Sequence, residues 1–240
     1  MIKIEDVVTP SPEQLIFVIR GMRNPLNSWS HGDSMAVVDG DYVTVSGDIG
    51  VAPADDPDGF TLGKNDEDLM TRLRNAGTEH RKFMRMMPVY ARITAPLYWY
   101  KEWDTYKVGT VTNSCSTMHK IAAKEFTLDD FSCEHLLADE PIPCRDYSAL
   151  GMMNATIYNL NKFRDLYLQT KDKKYWWQMI QLLPSSYNQT RNVMMNYEVL
   201  ANIYRQREDH KLDEWRKLCA WIKTLPYSEL ITGENNDRND

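Results

Sequence analysis

The 240-residue chain is short of positive charge, with 28 Lys and Arg against 34 Asp and Glu and a formal net charge of −6. That balance argues against nonspecific DNA binding, which needs a basic face to release counterions from phosphates. It leaves room for a small nucleotide, because a few local arginines suffice for one phosphate. No stretch approaches the roughly 18 consecutive apolar residues of a membrane helix, so no membrane partner is expected. The opening MIKIEDVVTPSPEQ is acidic and polar, unlike a secretory signal. Cysteine is scarce, and Cys115, Cys133, Cys144 and Cys219 form no CxxC pair, so reduced thiols in a cytoplasmic protein are the expectation. Cys133, His135 and Cys144 offer three zinc ligands, but no fourth is spaced to complete a site, and no metal is expected. The segment VSGDIGVA has two glycines but lacks the dinucleotide-binding spacing. Internal repeats and low-complexity linkers are absent as well.

What is present is an ordinary globular composition, 42% hydrophobic and 26% charged, enriched in flat and adaptable side chains: 13 Tyr, 7 Trp and 13 Met. Such residues first of all pack a core. The length suits one large domain over residues 1–240, with a polar loop at about 52–65 and a frayed polar tail at about 232–240. A short opening strand precedes a helix that Ser11-Pro12-Glu13 starts and Gly21 ends, with a loop from Arg23 to Trp29. Tyr42 to Ser46 alternates and reads as a strand. Asn65-Asp66-Glu67-Asp68 caps a helix from Leu69 to Ala76, which Gly77 stops. Met87 to Thr94 reads as a strand, Pro96 opens a helix from Leu97 to Trp103, and Thr127 to Asp130 looks like a capping box before a helix from Phe131 to Leu137. The last ninety or so residues read as mostly helical: Met195, Val199, Ile203 and Gln206 keep helical spacing, as do Leu212, Trp215, Leu218 and Ile222. A mixed half followed by a helical half predicts an α+β fold, a mixed sheet with long helices.

Two blocks carry a family likeness. Leu183-Pro184, Asn196, Leu200, Asn202 and Arg207 fall in register on the C-terminal signature of the flavin-dependent thymidylate synthases, and His210 comes one residue earlier than the family's His. The chain resembles that family more loosely around Thr94-Ala95-Pro96 and the residues that follow. There Glu102 stands for a Gln, Thr105-Tyr106-Lys107 for an Arg-His-Arg triplet, and Ser114, Ser116 and Met118 for the Glu, Ser and Arg of a downstream motif. Ile180 and Glu198 replace two further family arginines, and Glu79-His80 resembles a Glu-His in the family's flavin loop.

The resemblance implies a flavin-dependent thymidylate synthase-like fold and a methyltransferase of nucleotide biosynthesis. The reaction would pass a one-carbon unit from methylenetetrahydrofolate to C5 of dUMP, giving dTMP, with FAD as flavin and NADPH as reductant. It implies no catalytic protein nucleophile. FAD contacts would come from Asn196, Asn202, Thr105, Tyr106, Lys107 and His80, and substrate contacts from Arg207, Glu102, Ser114 and Ser116. On one continuous helix, Asn196, Asn202 and Arg207 would be spread along about 9 Å and a further 7.5 Å or so of rise, enough to line a long ligand. The family also implies a homotetramer. Loss of the cationic triplet and of several arginines leaves two alternatives: the same fold acting on a different pyrimidine nucleotide, or a catalytically silent nucleotide- or flavin-binding protein. Lys107, Lys120 and Arg191 are the candidates to replace the lost charge.

Overall fold

The computed structural model describes residues 1–51, 59–143 and 145–233. The first half contains β1 (Lys3–Val8), α1 (Pro12–Arg23), β2 (Met35–Val38), β3 (Asp41–Thr44), β4 (Ile49–Val51), β5 (Phe60–Thr61), α2 (Lys64–Asn75), α3 (Lys82–Arg85), β6 (Pro88–Pro96), α4 (Leu97–Trp103), β7 (Val111–Ser114) and α5 (Thr117–Lys120). The second half contains α6 (Ala149–Thr170), α7 (Lys173–Leu182), β8 (Asn188–Asn196), α8 (Tyr197–Arg207), α9 (Asp213–Ile222) and α10 (Glu229–Thr232). One sheet has the strand order β1-β6-β8-β7. The other runs β4-β3-β2-β5 with antiparallel pairs, Ala36 facing Val43 and Tyr42 facing Gly50. The fold is α+β, as the sequence predicts.

The chain divides into two compact units. Unit one comprises Met1–Glu5, Arg92–Tyr106 and Thr112–Asn192; unit two comprises Asp6–Ala91, Lys107–Val111 and Val193–Asp240.

Unit one is built on aromatic packing. Trp99, Tyr100 and Trp103 are fully buried on α4, with Trp99 stacked on Trp103 at 5.1 Å between centroids. Pro96 sets the start of α4 as the sequence predicts, having an extended backbone and no N–H to satisfy. The long helix α6 packs on α7 over a cluster of Ile121, Phe126, Phe131, Ile157, Leu160 and Met179. Each such fully buried apolar side chain contributes about 1.5–3 kcal/mol.

In unit two, α8 packs against α3, α9 and α10, with Leu200, Ile203, Trp215, Leu218 and Ile222 inaccessible to solvent. A polar clasp holds the start of α2. The Asp66 carboxylate is completely buried and accepts from Arg23 Nε at 2.5 Å, from the Asp33 and Ser34 amides at 3.0 and 2.8 Å, and from Ser34 Oγ at 2.7 Å. The Asp33 carboxylate in return accepts from the amides of Asn65 and Asp66. A residue some thirty positions upstream thereby fills the role of an N-cap that Gly63 has no side chain to fill.

Several predicted boundaries differ from the observed ones. Residues 65–68 lie inside the first turn of α2 rather than before it, because Asp33 supplies the cap from elsewhere. Gly21 does not end α1; Met22 and Arg23 beyond it are buried and hold the last turn, and Asn24 donates back to the Gly21 carbonyl. The predicted helix from Phe131 to Leu137 is absent. Thr127 and Asp130 close a 3₁₀ turn over Leu128–Asp130, and Phe131 then extends to bridge Tyr187. Residues 188–196, read as part of a helical region, form β8 between β6 and β7, where both edges of the backbone find partners. The predicted strand at Tyr42–Ser46 is observed over Asp41–Thr44. Of the predicted loop at 52–65, residues 52–58 lie outside the described residues, and the remainder includes β5 and the start of α2. Residues 234–240 of the predicted tail and Cys144 also lie outside them.

The Asp66→Ala substitution leaves the buried Arg23 guanidinium and the buried Ser34 amide and hydroxyl without their carboxylate, and should cost about 3–5 kcal/mol. Urea melts of the two proteins measure it; a loss below about 1 kcal/mol would show that water replaces the carboxylate.

Candidate functional site

Strand β8 ends at Asn196 and α8 begins at the next residue. Asn196 is therefore a cap at a strand–helix joint. Its Oδ1 accepts from the Val199 amide at 3.0 Å, an arrangement worth about 1 kcal/mol to the helix. The side chain is buried, and the chain at Gly109 passes close to its amide nitrogen. Gly109 has φ +79°, and a Cβ there would sit 2.8 Å from Asn196 Nδ2 and 3.0 Å from Val199 Cγ2. Only glycine meets both demands.

Both residues line a cavity of about 740 Å³, within the usual 300–1,000 Å³ range of small-molecule sites. Its walls lie wholly within unit two. Arg74 comes from the last turn of α2, Arg85 from α3 and Arg81 from the residue preceding α3; Asn202 and Arg205 come from α8. Four guanidiniums face only two lining carboxylates, Glu198 and Glu208. Glu198 is already paired with Arg85. Arg74 donates to the Leu230 and Ile231 carbonyls, and burial together with the Arg81 charge lowers its pKa below the usual arginine value. Arg81 holds the Arg74 carbonyl through Nε at 2.6 Å, and Arg205 donates to Asn202 Oδ1 at 3.1 Å, so each keeps further N–H donors for a ligand. Asn202 Oδ1 also accepts from Gln206, which turns the amide's acceptor toward its own helix. Like charges gathered in a cleft with spare donors suit a polyanion such as a diphosphate.

Of the residues singled out by sequence, Asn196 and Asn202 are brought together here. They do not share one helix, as their spacing suggested: Asn196 closes the strand, and only Asn202 and Arg207 lie on α8. Arg207 is not among the lining residues; its guanidinium lies over the buried Trp215 ring at 4.7 Å from the centroid. Lys107 is exposed just before the lining residues Val108 and Gly109, and His80 is exposed in the turn between α2 and α3. In unit one, the Thr105 hydroxyl donates to the Glu102 carbonyl at the end of α4, and Tyr106 donates its amide to Trp103. Ser114 is exposed on β7, and Ser116 caps α5 by accepting from the His119 amide. Arg191, a candidate replacement cation, stacks on the Tyr100 ring at 3.7 Å and pairs with Asp104 at 2.7 Å.

The sequence reading missed Arg74, Arg81, Arg85 and Arg205. A signal was available for three of them: Arg72, Arg74, Arg81, Lys82 and Arg85 crowd one short segment of an acidic chain. Among the described residues, no group of three or more His, Cys, Asp or Glu side chains is placed to hold a metal ion, and no helix is long and apolar enough to cross a membrane.

No family model matches the chain, and no curated protein matches it in sequence. Solved structures do match in fold. A thymidylate synthase X of Helicobacter pylori, determined with FAD and dUMP, superposes with a TM-score of 0.60 at 16% identity, covering 97% of each chain. A second structure from that organism, a flavin-dependent thymidylate synthase complexed with FAD and dUMP, gives 0.58 at 17% identity, over 95% of this chain and 99% of that one. A UMP/dUMP methylase of Streptomyces cacaoi bound to 5-bromo-dUMP gives 0.53 at 14% identity, over 97% of this chain and 94% of that one. The chain thus shares the flavin-dependent thymidylate synthase fold over nearly its whole length.

Gly109→Ala should move Asn196 off its cap and strain the backbone, at a cost of about 1–3 kcal/mol. Thermal melts and a crystal structure of the variant check it; an unmoved Asn196 amide would mean that the neighbouring loop yields instead.

Proposed function

We propose that the chain is a flavin-dependent nucleotide methyltransferase, carrying a one-carbon unit from methylenetetrahydrofolate to C5 of dUMP with NADPH as reductant. The observation that carries the reading is the cavity of unit two. Its four arginines and two asparagines sit in a chain whose fold is that of proteins solved with FAD and dUMP. These groups fit FAD: the spare donors of Arg81 and Arg205 suit the diphosphate, and the amides of Asn196 and Asn202 suit the polar edge of a flat ring. When bound, FAD supplies the hydride chemistry, and the protein supplies placement and electrostatics.

The remaining residues enter this reading as proposals. His80, Lys107, Thr105 and Tyr106 extend the flavin contacts; Glu102, Ser114, Ser116 and Arg207 contact the nucleotide. No protein nucleophile is needed, so the exposed Cys115 has no catalytic duty here.

The same reading places the protein in the cytoplasm, where an exposed thiol stays reduced, and assembles it as a homotetramer. Exposed Phe17 and Tyr158, 66% and 61% accessible, are the kind of surface such an assembly covers. The fold shared with a UMP/dUMP methylase favours a second reading in which UMP is also accepted.

Titrating the purified protein with FAD while recording its visible spectrum tests the proposal. The expected result is a perturbed flavin spectrum, followed by NADPH oxidation that dUMP, or UMP on the second reading, accelerates. A protein that leaves the FAD spectrum unchanged and binds no uridine nucleotide would end it. Arg205→Ala, which removes an exposed side chain whose one hydrogen-bond partner among the described residues is Asn202, should weaken FAD by about 1.5–3 kcal/mol with little change in melting temperature.

A further inference from the structure

In unit one, Cys115, Ser116 and Thr117 lie along the wall of a second cavity, of about 530 Å³, with Gln189 and Thr190 of β8 beside them. We propose that Arg191 is a positioning residue for this wall: acting through Gln189, it holds residues 115–117 in the form that meets the substrate. The proposal rests on the reading above in taking Ser116 to contact the nucleotide.

The supporting contacts start at α4. Tyr100 is buried there, and its hydroxyl donates to the Ile93 carbonyl at 2.7 Å, which fixes the ring. The Arg191 guanidinium carbon lies 3.7 Å from the centroid of that ring. An aromatic face places a cation but leaves it able to turn. Two hydrogen bonds remove that freedom: Nη1 donates to Asp104 Oδ1 at 2.7 Å and Nε donates to Gln189 Oε1 at 2.9 Å. The Arg191 side chain is only 13% exposed, so its pair with Asp104 is less screened by salt than one on the open surface. Side chains alternate along a strand, so residues 189 and 191 share one face of β8 and lie within reach of each other.

The chemistry of donors and acceptors gives the set a direction. A guanidinium only donates and a backbone carbonyl only accepts. Between Arg191 and the Cys115 carbonyl the Gln189 amide therefore has one satisfactory arrangement, with its oxygen toward the arginine and its nitrogen toward residues 115–117. Nε2 donates to the Cys115 carbonyl at 2.9 Å and to Thr117 Oγ1 at 3.1 Å. The Cys115 amide donates to the Thr190 carbonyl at 2.9 Å. Cys115 is thus held on both sides of its backbone, and Thr117 by its hydroxyl. Ser116 lies between them and caps α5, accepting from the His119 amide at 3.2 Å. Without Arg191, nothing in this set keeps the amide from turning its oxygen toward the Cys115 carbonyl, and the wall loses its support. A lysine at 191 would keep the charge beside Asp104 but lacks the planar fork that reaches two acceptors at once. Arg191 is accordingly committed to support and does not serve as a replacement cation in the substrate site.

The exposed Cys115 thiol reports on the wall directly. Its alkylation rate with iodoacetamide is read by mass spectrometry of the peptide that carries it, and dUMP affinity is read by calorimetry. The proteins compared are the wild type, Arg191→Ala, Arg191→Lys, Gln189→Ala, the double variant of Arg191→Ala with Gln189→Ala, and Lys101→Ala as an exposed control. Circular dichroism checks folding, and Arg191→Lys carries the test should Arg191→Ala not fold. The expected result is that each single change at 191 or 189 speeds alkylation of Cys115 and weakens dUMP about fivefold, the effect of losing one or two hydrogen bonds. The double variant should be no worse than either single one, because both changes break the same support. Lys101→Ala should match the wild type. Unchanged alkylation in the single variants overturns the proposal. So does a double variant whose loss of affinity is the product of the single losses, which would mark Arg191 as touching the nucleotide itself. Faster alkylation in the variants of a protein whose wild type binds no uridine nucleotide leaves the support intact and ends the nucleotide reading.

Discussion

The side chain of Asn196 is the constraint on which the unit-two cavity depends. It terminates β8, caps α8 and is buried at the wall of the cavity. A capping amide has little freedom: its oxygen must reach the Val199 amide, and this fixes where its nitrogen points. From that joint α8 sets out in a fixed direction and delivers Asn202 and Arg205 to the same wall. The joint also demands that the chain at 109 carry no side chain. The cavity wall and helix initiation thus draw on the same few atoms, which makes either difficult to alter alone.

The elements legible in sequence were those decided by neighbours along the chain. Pro96 and the aromatic run after it specify α4, and the Ser11–Gln14 capping box specifies α1. What escaped was decided from a distance. The segment Asn188 to Asn196 has no strong local preference, and two waiting strand edges make it a strand. The start of α2 depends on Asp33, which no local window connects to Asn65. Asn196 and Asn202 were legible because a family pattern pins them in register. The arginines were not, since Arg74, Arg81 and Arg85 meet Arg205 only after the fold has closed more than a hundred positions of chain between them.

The two cavities differ in kind, and the difference is electrostatic. In unit two the guanidiniums outnumber the carboxylates, and Arg74 is disfavoured as a cation by its own burial and by Arg81. A bound anion would relieve that repulsion. In unit one the lining charges balance, two lysines against two aspartates.

The interleaving of the chain has a consequence for biosynthesis. Residues 6–91 belong to the same unit as residues 193 onward, with all of 112–192 between them. On the ribosome, the first of these segments emerges long before α8 and α9, which complete its apolar packing. It must wait, partly exposed, while the intervening segment is made. Such sequence-distant closure is slow and leaves nascent apolar surface open to aggregation. Truncation near position 190 would strand that segment without its packing partners, whereas the other unit would already have nearly all of its residues.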